Sequence, residues 1–395
     1  MKPPGPRSSP ASPWAAWERP KKSPLCACIL PATNRRTPPD RSTSATAAGT
    51  PEKETLLQRC TPFIVLLTSL LFACSKAPER PAGATGQAGT TPEVTEKIKL
   101  GVIAKGTIHE FWLAVKAGAE AACAEQGVDM LWDGPSTETR HDEQRRILEN
   151  MVSAGVKGIV IAPTSHEALV RPVESAVAGG VPVVVFDSNL DGESYISFVA
   201  TDNKAGGKLA GKAIIERTGG TPQRLLMLRY TEGSGSTRAR EAGFEEAVAE
   251  TPGARLLESQ FTSGTTEGAI DVATNMLNRY VVDGKLEVDG MFAANLPTTI
   301  GMMRALDRLA KQGVTVNVVA MGFDSSEELI NGLKDDKIQG LIVQDPYGMG
   351  YTGVQTMLSY LRGEDVPRYI DTGVTLVTRP ELDKPEIRKL LGLKD

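Results

Sequence analysis

Lys99-Leu-Gly-Val-Ile-Ala-Lys-Gly-Thr-Ile-His-Glu-Phe-Trp112 runs straight into a helical pattern over 113–126, and its reading decides the fold. Leu100, Val102 and Ile103 have the unbroken apolar character of a strand covered on both faces. Residues 105–109 then form a polar loop at the strand's carboxyl end, and Phe111 and Trp112 open the helix behind it. In open α/β sheets ligands settle at the carboxyl ends of strands. Lys105, His109, Phe111 and Trp112 therefore read as half of a small-molecule pocket, with a cation, an imidazole and two rings on one loop. Core packing is the alternative for the rings, but their place beside a polar loop favours the pocket.

Outward from this unit the alternation continues. Strand-like runs fall at 100–104, 128–132, 158–162, 181–186 and 195–199, with helical patterns at 111–126, 139–154 and 166–178. A second series follows, with strands at 224–228, 256–260, 290–293, 316–321 and 339–343. Its helices fit 204–217, 237–249, 265–280, 298–312, 326–335 and 348–362. Strands and helices alternating at this spacing imply βαβ units and a parallel sheet. The expected class is α/β, with two similar doubly wound parallel-sheet lobes. An eight-unit barrel fits less well, because there are ten strand runs and the series restarts near 202.

The bulk composition is that of an ordinary folded chain: 395 residues, 41% hydrophobic and 23% charged. Its charge is uneven. Residues 1–73 sum to +6, leaving −10 on residues 74–395. An acidic body argues against binding nucleic acid through its phosphates.

Residues 1–55 lack apolar periodicity and read as disordered or as an untranslated upstream extension, with the true start near Leu56 or Leu57. The apolar run 63–73 has eleven residues, too short for the ~20 that a membrane span needs. With Lys53 and Arg59 before it, 56–73 reads as a signal peptide. It ends in Leu71-Phe-Ala-Cys74, which resembles the bacterial lipobox and implies lipidation at Cys74. Residues 74–97 then form a lipid-anchored linker, with a coil span of roughly 25–30 Å. Cys123, in an Ala-rich helical context, reads as a small core residue.

Several strands end in polar residues: Asp187 with Ser188, Asn295, Asp324, and Gln344. Any one of these could be a helix cap or turn former. Four together suggest a convergent ring of donors and acceptors. Paired carboxylates, amides and cations suit a polyhydroxylated ligand, because each hydroxyl both donates and accepts. The stretch Thr231-Glu-Gly-Ser-Gly-Ser-Thr-Arg238-Ala-Arg240 follows a strand and opens a helix, where phosphate could sit. It lacks both GxGxxG and GxxxxGK[ST], so nucleotide binding is not favoured. One of Arg238 and Arg240 is expected to face the cleft and the other solvent.

Four motifs carry a family resemblance: Ala200-Thr-Asp-Asn-Lys-Ala-Gly-Gly207, Thr237-Arg-Ala-Arg-Glu-Ala-Gly-Phe244, Gly322-Phe-Asp324 and Thr372-Gly-Val-Thr375. Together they resemble the periplasmic sugar-binding proteins of ABC importers, the ribose/galactose type that shares its fold with LacI-type repressor cores. The resemblance runs from about residue 98 to 377. It implies a type I periplasmic binding protein with a pocket at His109, Phe111, Trp112, Asp187, Arg240, Asn295, Phe323, Asp324 and Gln344. Ser188 stands where the ribose type has Arg, and Gly264 where it has an aromatic. Lys105, with Trp132-Asp-Gly-Pro135, looks more like the rhamnose and autoinducer-2 binders.

The resemblance also implies a three-strand hinge near 200–202, 344–346 and 370–372. One lobe would hold 98–201 and 346–371, the other 202–345 and 372–395. The expected function is capture of a sugar, sugar-like or polyol ligand by hinge closure and delivery to an ABC permease. The chain would be a monomeric lipoprotein at the periplasm or cell surface, touching the membrane only through its anchor. Presentation of the ligand to a membrane receptor is the alternative. A LacI-like regulator would need a basic helix-turn-helix where the apolar segment and linker stand. No enzyme, cofactor or metal is expected: GxSxG and HExxH are absent, and His109, His141 and His166 lack metal spacing. His141 and His166 read as surface or capping residues.

Overall fold

The computed structural model describes residues 97–219 and 223–393. The upstream extension, the signal peptide and Cys74 lie outside the described residues, as does all of the linker except its last residue.

The chain begins with β1 (Lys99–Ile103), α1 (Glu110–Gln126), β2 (Asp129–Asp133), α2 (His141–Ser153) and β3 (Gly158–Ile161). It continues with α3 (Val170–Ala178), β4 (Val183–Phe186) and β5 (Ser197–Ala200). Next come α4 (Asn203–Thr218), β6 (Gln223–Arg229), α5 (Gly235–Ala249), β7 (Ala254–Phe261) and α6 (Thr266–Asn278). A small hairpin, β8 (Val281–Val282) and β9 (Lys285–Leu286), precedes β10 (Gly290–Ala293), α7 (Leu296–Lys311) and β11 (Val319–Phe323). The described chain closes with α8 (Glu327–Lys334), β12 (Gly340–Val343), α9 (Pro346–Leu361), β13 (Tyr369–Asp371), β14 (Thr375–Val377) and α10 (Pro385–Leu390).

Two six-stranded sheets result, ordered β13-β5-β4-β3-β1-β2 and β14-β12-β11-β10-β6-β7. The expected α/β class, two doubly wound lobes, is what the chain adopts. The first sheet is parallel throughout. The second differs from the expectation at one edge, where β14 runs antiparallel to β12.

Alternation explains why the strands read as continuous apolar runs. In the first sheet Val160 and Val184 face α1 and α9, while Ile159, Ile161, Val183 and Val185 face α2 and α3. In the second, Leu226 and Met291 face α6 and α7, while Leu225, Met227 and Phe292 face α4 and α5. Successive side chains go to opposite faces, and both faces are covered. Each fully buried Val, Ile or Leu contributes roughly 1.5–3 kcal/mol.

Two helix pairs pack backbone to backbone. A Cβ at Gly207 of α4 would run into the Arg240 carbonyl of α5, and one at Gly243 into the Lys204 carbonyl of α4. In the first lobe Gly118 and Gly350 bring α1 against α9 in the same way.

The two sheets also share a local signature. β4 and β11 hold the same place in their sheets and end in Phe186-Asp187-Ser188 and Phe323-Asp324-Ser325. Both aspartates have left-handed backbones, with φ of 60° and 69°. The chain crosses between the sheets three times: after β5, after β12, and between β13 and β14.

Candidate functional site

The carboxyl ends of β1, β4, β10, β11 and β12 converge on the crevice between the lobes. β1 delivers Lys105, and the start of α1 delivers His109, Phe111 and Trp112. β4 ends at Asp187, β10 leads to Asn295, β11 ends at Asp324, and Gln344 follows β12. α5 adds Arg240 from its second turn. Nine of the eleven residues expected from the sequence thus line one cavity.

Ser188 and Phe323 stand behind its wall. Ser188 Oγ donates to Ser236 Oγ at 2.8 Å. Phe323 lies under the Arg240 guanidinium, 3.7 Å from ring centroid to carbon. As the last residue of β11, Phe323 faces α4 in the core, whereas the left-handed turn at Asp324 sends that side chain into the crevice. The cavity also takes Glu138, Ser234, Ser236, Thr237, Leu296 and Pro297, which the sequence did not single out as site residues. Ser234 and Ser236 belong to the Gly-rich stretch opening α5, a signal read only for phosphate. Glu138 sits in a polar loop that resembles any other.

Buried charges organise the walls. Lys105 Nζ lies 2.9 Å from Asp187 Oδ2, with both side chains almost wholly buried. It also donates to Ser236 Oγ at 3.2 Å, across the lobe boundary. Arg240 Nε donates to Asn203 Oδ1 at 2.7 Å, and its NH1 to the Ala294 carbonyl at 3.0 Å. The same NH1 lies 3.8 Å from Asp324 Oδ2. Burial lowers the pKa of Arg240 and raises that of Asp324, each opposed by the charge of the other. Both groups are thus pressed toward neutrality, and their ion pair resists it. Gln344 Nε2 donates to Asp324 Oδ1 at 2.5 Å, and Leu296 N to Oδ2 at 3.0 Å.

Asn295 combines two roles. Its side chain caps α7, accepting from Thr298 Oγ1 at 2.8 Å, and it also lines the cavity. Trp112 is 3% exposed and packs edge-on to Phe111 and Phe186. Ser234 Oγ and Gln344 Oε1 are buried on the wall without a hydrogen-bond partner. Asp187 Oδ2 has its ion pair with Lys105 but no directed hydrogen bond. Buried polar atoms are rarely left so: Gln344 Oε1 lacks a donor, the Ser234 hydroxyl can donate or accept, and Asp187 Oδ2 has only Lys105 beside it.

In this closed arrangement the void between the walls is about 30 Å³. That is room for two or three waters at ~10–15 Å³ each, so a ring-sized guest enters only as the walls part. Larger concavities of about 910 and 610 Å³ lie beside α1 and α8. The first shares Phe111, Asp324 and Gln344 with the crevice and forms its outer vestibule. The second is open and edged mostly by surface charges, without the convergent buried groups of a binding site.

Beside the crevice, His166 corrects a sequence expectation. It is 4% exposed, not a surface residue. Its Nδ1 lies 2.9 Å from Asp191 Oδ2, and its Nε2 lies 3.1 Å from Arg238 NH1 in the other lobe. Arg238 is otherwise exposed, so of the two arginines it is Arg240 that faces the crevice. His166, Glu167 and Asp191 are the one grouping of metal-ligand type among the described residues, with ligand atoms within 4.8 Å. Both ring nitrogens of His166 are already engaged.

Comparison with known proteins follows from this geometry. A family model described as "Periplasmic binding protein domain" matches residues 100–365. The D-ribose/D-allose-binding protein of Pseudomonas aeruginosa is 27% identical over 301 residues, 73% of this chain and 91% of that protein. A carbohydrate transporter solute-binding protein from Agrobacterium radiobacter, solved with D-arabinose, is 33% identical. The match has a TM-score of 0.70 and covers 75% of this chain and 99% of that one. An ABC transporter solute-binding protein from Agrobacterium vitis, with bound D-fucose, is 35% identical at a TM-score of 0.70. That alignment covers 74% of this chain and 99% of the other.

Proposed function

The chain belongs to the periplasmic binding protein domain family, and on that premise we propose that it is the sugar-binding component of an ABC importer. Its ligand would be a monosaccharide or related polyol, gripped between the lobes and released unchanged to a permease. One observation carries this reading: side chains from both lobes converge on a single crevice and leave buried polar atoms there with hydrogen-bonding capacity unfilled. A sugar's hydroxyls fill that capacity, and they accept in turn from Lys105 and Arg240. Trp112 and Phe111 offer ring faces to its C–H edges, worth ~1 kcal/mol each.

Capture works by population shift. A guest that touches both lobes does so only in the closed form, and it favours that form by the difference in contacts. In this reading the three crossings serve as the hinge. One lobe comprises 98–201 with 346–371, and the other 202–345 with 372–395. Lipidation at Cys74, monomeric state, a periplasmic or cell-surface location and absence of turnover belong to the same proposal.

The test is thermal unfolding of the full chain against D-ribose, D-allose, D-arabinose, D-fucose and a set of polyols. Ligand at a hundredfold excess over Kd adds about 2.7 kcal/mol to stability, so at least one of these raises the Tm by several degrees. A flat response across pentoses, hexoses, deoxysugars and polyols would sink the proposal.

A further inference from the structure

The cavity wall holds one carboxylate for which the reading above has no use. Glu138 lies in the loop between β2 and α2 and lines the cavity with Asp187 and Arg240. Its Oε1 accepts a hydrogen bond from Trp112 Nε1 at 2.9 Å, which fixes the carboxylate beside the indole ring. The other two wall carboxylates each face a cation, Asp187 at 2.9 Å from Lys105 and Asp324 at 3.8 Å from Arg240. Among the described residues no cation forms an ion pair with Glu138. An ionised carboxylate has about four acceptor sites; Trp112 fills one, and the Tyr230 hydroxyl stands within hydrogen-bonding reach of a second. The rest of that capacity is open to whatever enters.

The second lobe closes over this group. Gly264 has a left-handed backbone, φ 84°, and a Cβ there would meet Thr139 Cγ2 at 2.9 Å. The missing side chain is therefore what lets the Glu138 loop fold in against the opposite lobe. Tyr230 packs on the same side, its hydroxyl donating to the Gly264 carbonyl at 3.1 Å. Burial raises the Tyr230 pKa, and the charge of Glu138 raises it further. Closure thus leaves Glu138 half-buried on the cavity wall, partly withdrawn from water.

We propose that Glu138 is a ligand-contacting, specificity-determining residue: it accepts a hydrogen bond from a hydroxyl or ammonium group of the guest and disfavours guests bearing a carboxylate or phosphate. The assignment rests on the sugar-binding reading. A hydrogen bond to a charged acceptor is worth roughly a 10- to 100-fold change in affinity. A second anion enclosed beside Glu138 is penalised on the same scale.

The test is calorimetric titration of the full chain, Glu138→Gln and Trp112→Phe. The probes are D-ribose, D-allose and D-galactose, each with its 2-amino analogue and its uronic acid. Gln keeps a carbonyl oxygen for Trp112 and sits in a loop, so the fold survives. The wild type should bind a neutral or amino member at least ~10-fold tighter than the matching acid. Glu138→Gln should weaken that member 10- to 100-fold and narrow the gap to the acid about tenfold, while Trp112→Phe leaves the gap in place. Glu138→Gln within threefold of wild type on every probe would overturn the assignment and leave the sugar reading standing. If Trp112→Phe erased the charge preference as fully, Glu138 would only position Trp112, and the assignment would fall. A wild type that binds none of the nine probes overturns the assignment, whereas the sugar reading falls only with a flat response across the wider set of pentoses, hexoses, deoxysugars and polyols.

Discussion

Asp187 shows how much one position carries. It ends β4 in a left-handed turn, holds Lys105 at 2.9 Å and keeps an oxygen on the cavity. Asn adopts such a backbone readily, so Asp187→Asn removes the charge without straining the turn. Lys105 would be left 3% exposed and without its carboxylate. Breaking a buried pair this way costs roughly 3–5 kcal/mol, read as a lower urea midpoint at unchanged slope, together with loss of ligand-induced stabilisation. Residues of this kind are legible in a sequence because a polar group directly after an apolar run is a local signal. Phe323 and Ser188 flank such positions, and the alternation of side chains turns them away from the crevice. Glu138 carried no local signal at all. Its place depends on Trp112, 26 residues earlier in the chain, and on a lobe whose packing no periodicity reveals.

At the scale of elements, all ten strand runs became strands with bounds moved by a few residues: the inner strands are buried apolar runs, the strongest pattern a chain offers, while the edge strands β2 and β7 are only part-buried. β13 and β14 escaped notice: each has three residues, only partly buried, and lies where the chain passes between sheets. α3 starts at Val170 rather than 166, because residues 166–169 form a turn in which His166 N donates to the Gly233 carbonyl at 3.1 Å. The tight α4–α5 pair gives a prediction of its own. Gly207→Ala puts a methyl group where the Arg240 carbonyl sits, so α5 must back away. Overpacking of this sort costs about 1–3 kcal/mol. It should also pull Arg240 from Asn203 and the Ala294 carbonyl, so calorimetry should find affinity down at least ~10-fold along with the lower Tm. An unchanged affinity at a lowered Tm would show that α5 does not position Arg240.

For the molecule as a whole, the contacts across the crevice make closure depend on pH. His166 ties the lobes together, with Nε2 3.1 Å from Arg238 NH1 and Nδ1 2.9 Å from Asp191 Oδ2. Glu167 is the remaining charge beside it. His141, which faces Gly233 of the second lobe, has its pKa lowered by burial, with Asp142 opposing. A base whose pKa is lowered on closure binds fewer protons in the closed form. The closed form is therefore favoured at neutral pH and loses ground as pH falls through the ordinary histidine range, near 6.5. Affinity should drop severalfold between pH 7 and pH 5 in calorimetric titration, and His141→Gln should flatten that dependence. A wild-type affinity constant over this range would rule the coupling out.

The three passages of backbone between the sheets have a mechanical consequence. A single thread would leave the halves free to swivel, whereas three side by side permit little beyond one rotation, as pins do for a door. The rims then return to the same alignment at every cycle, so, on the importer reading, a docked transporter would meet one silhouette instead of a spread of them. A pair of dyes placed across the opening would report two sharp distances, with few molecules in between.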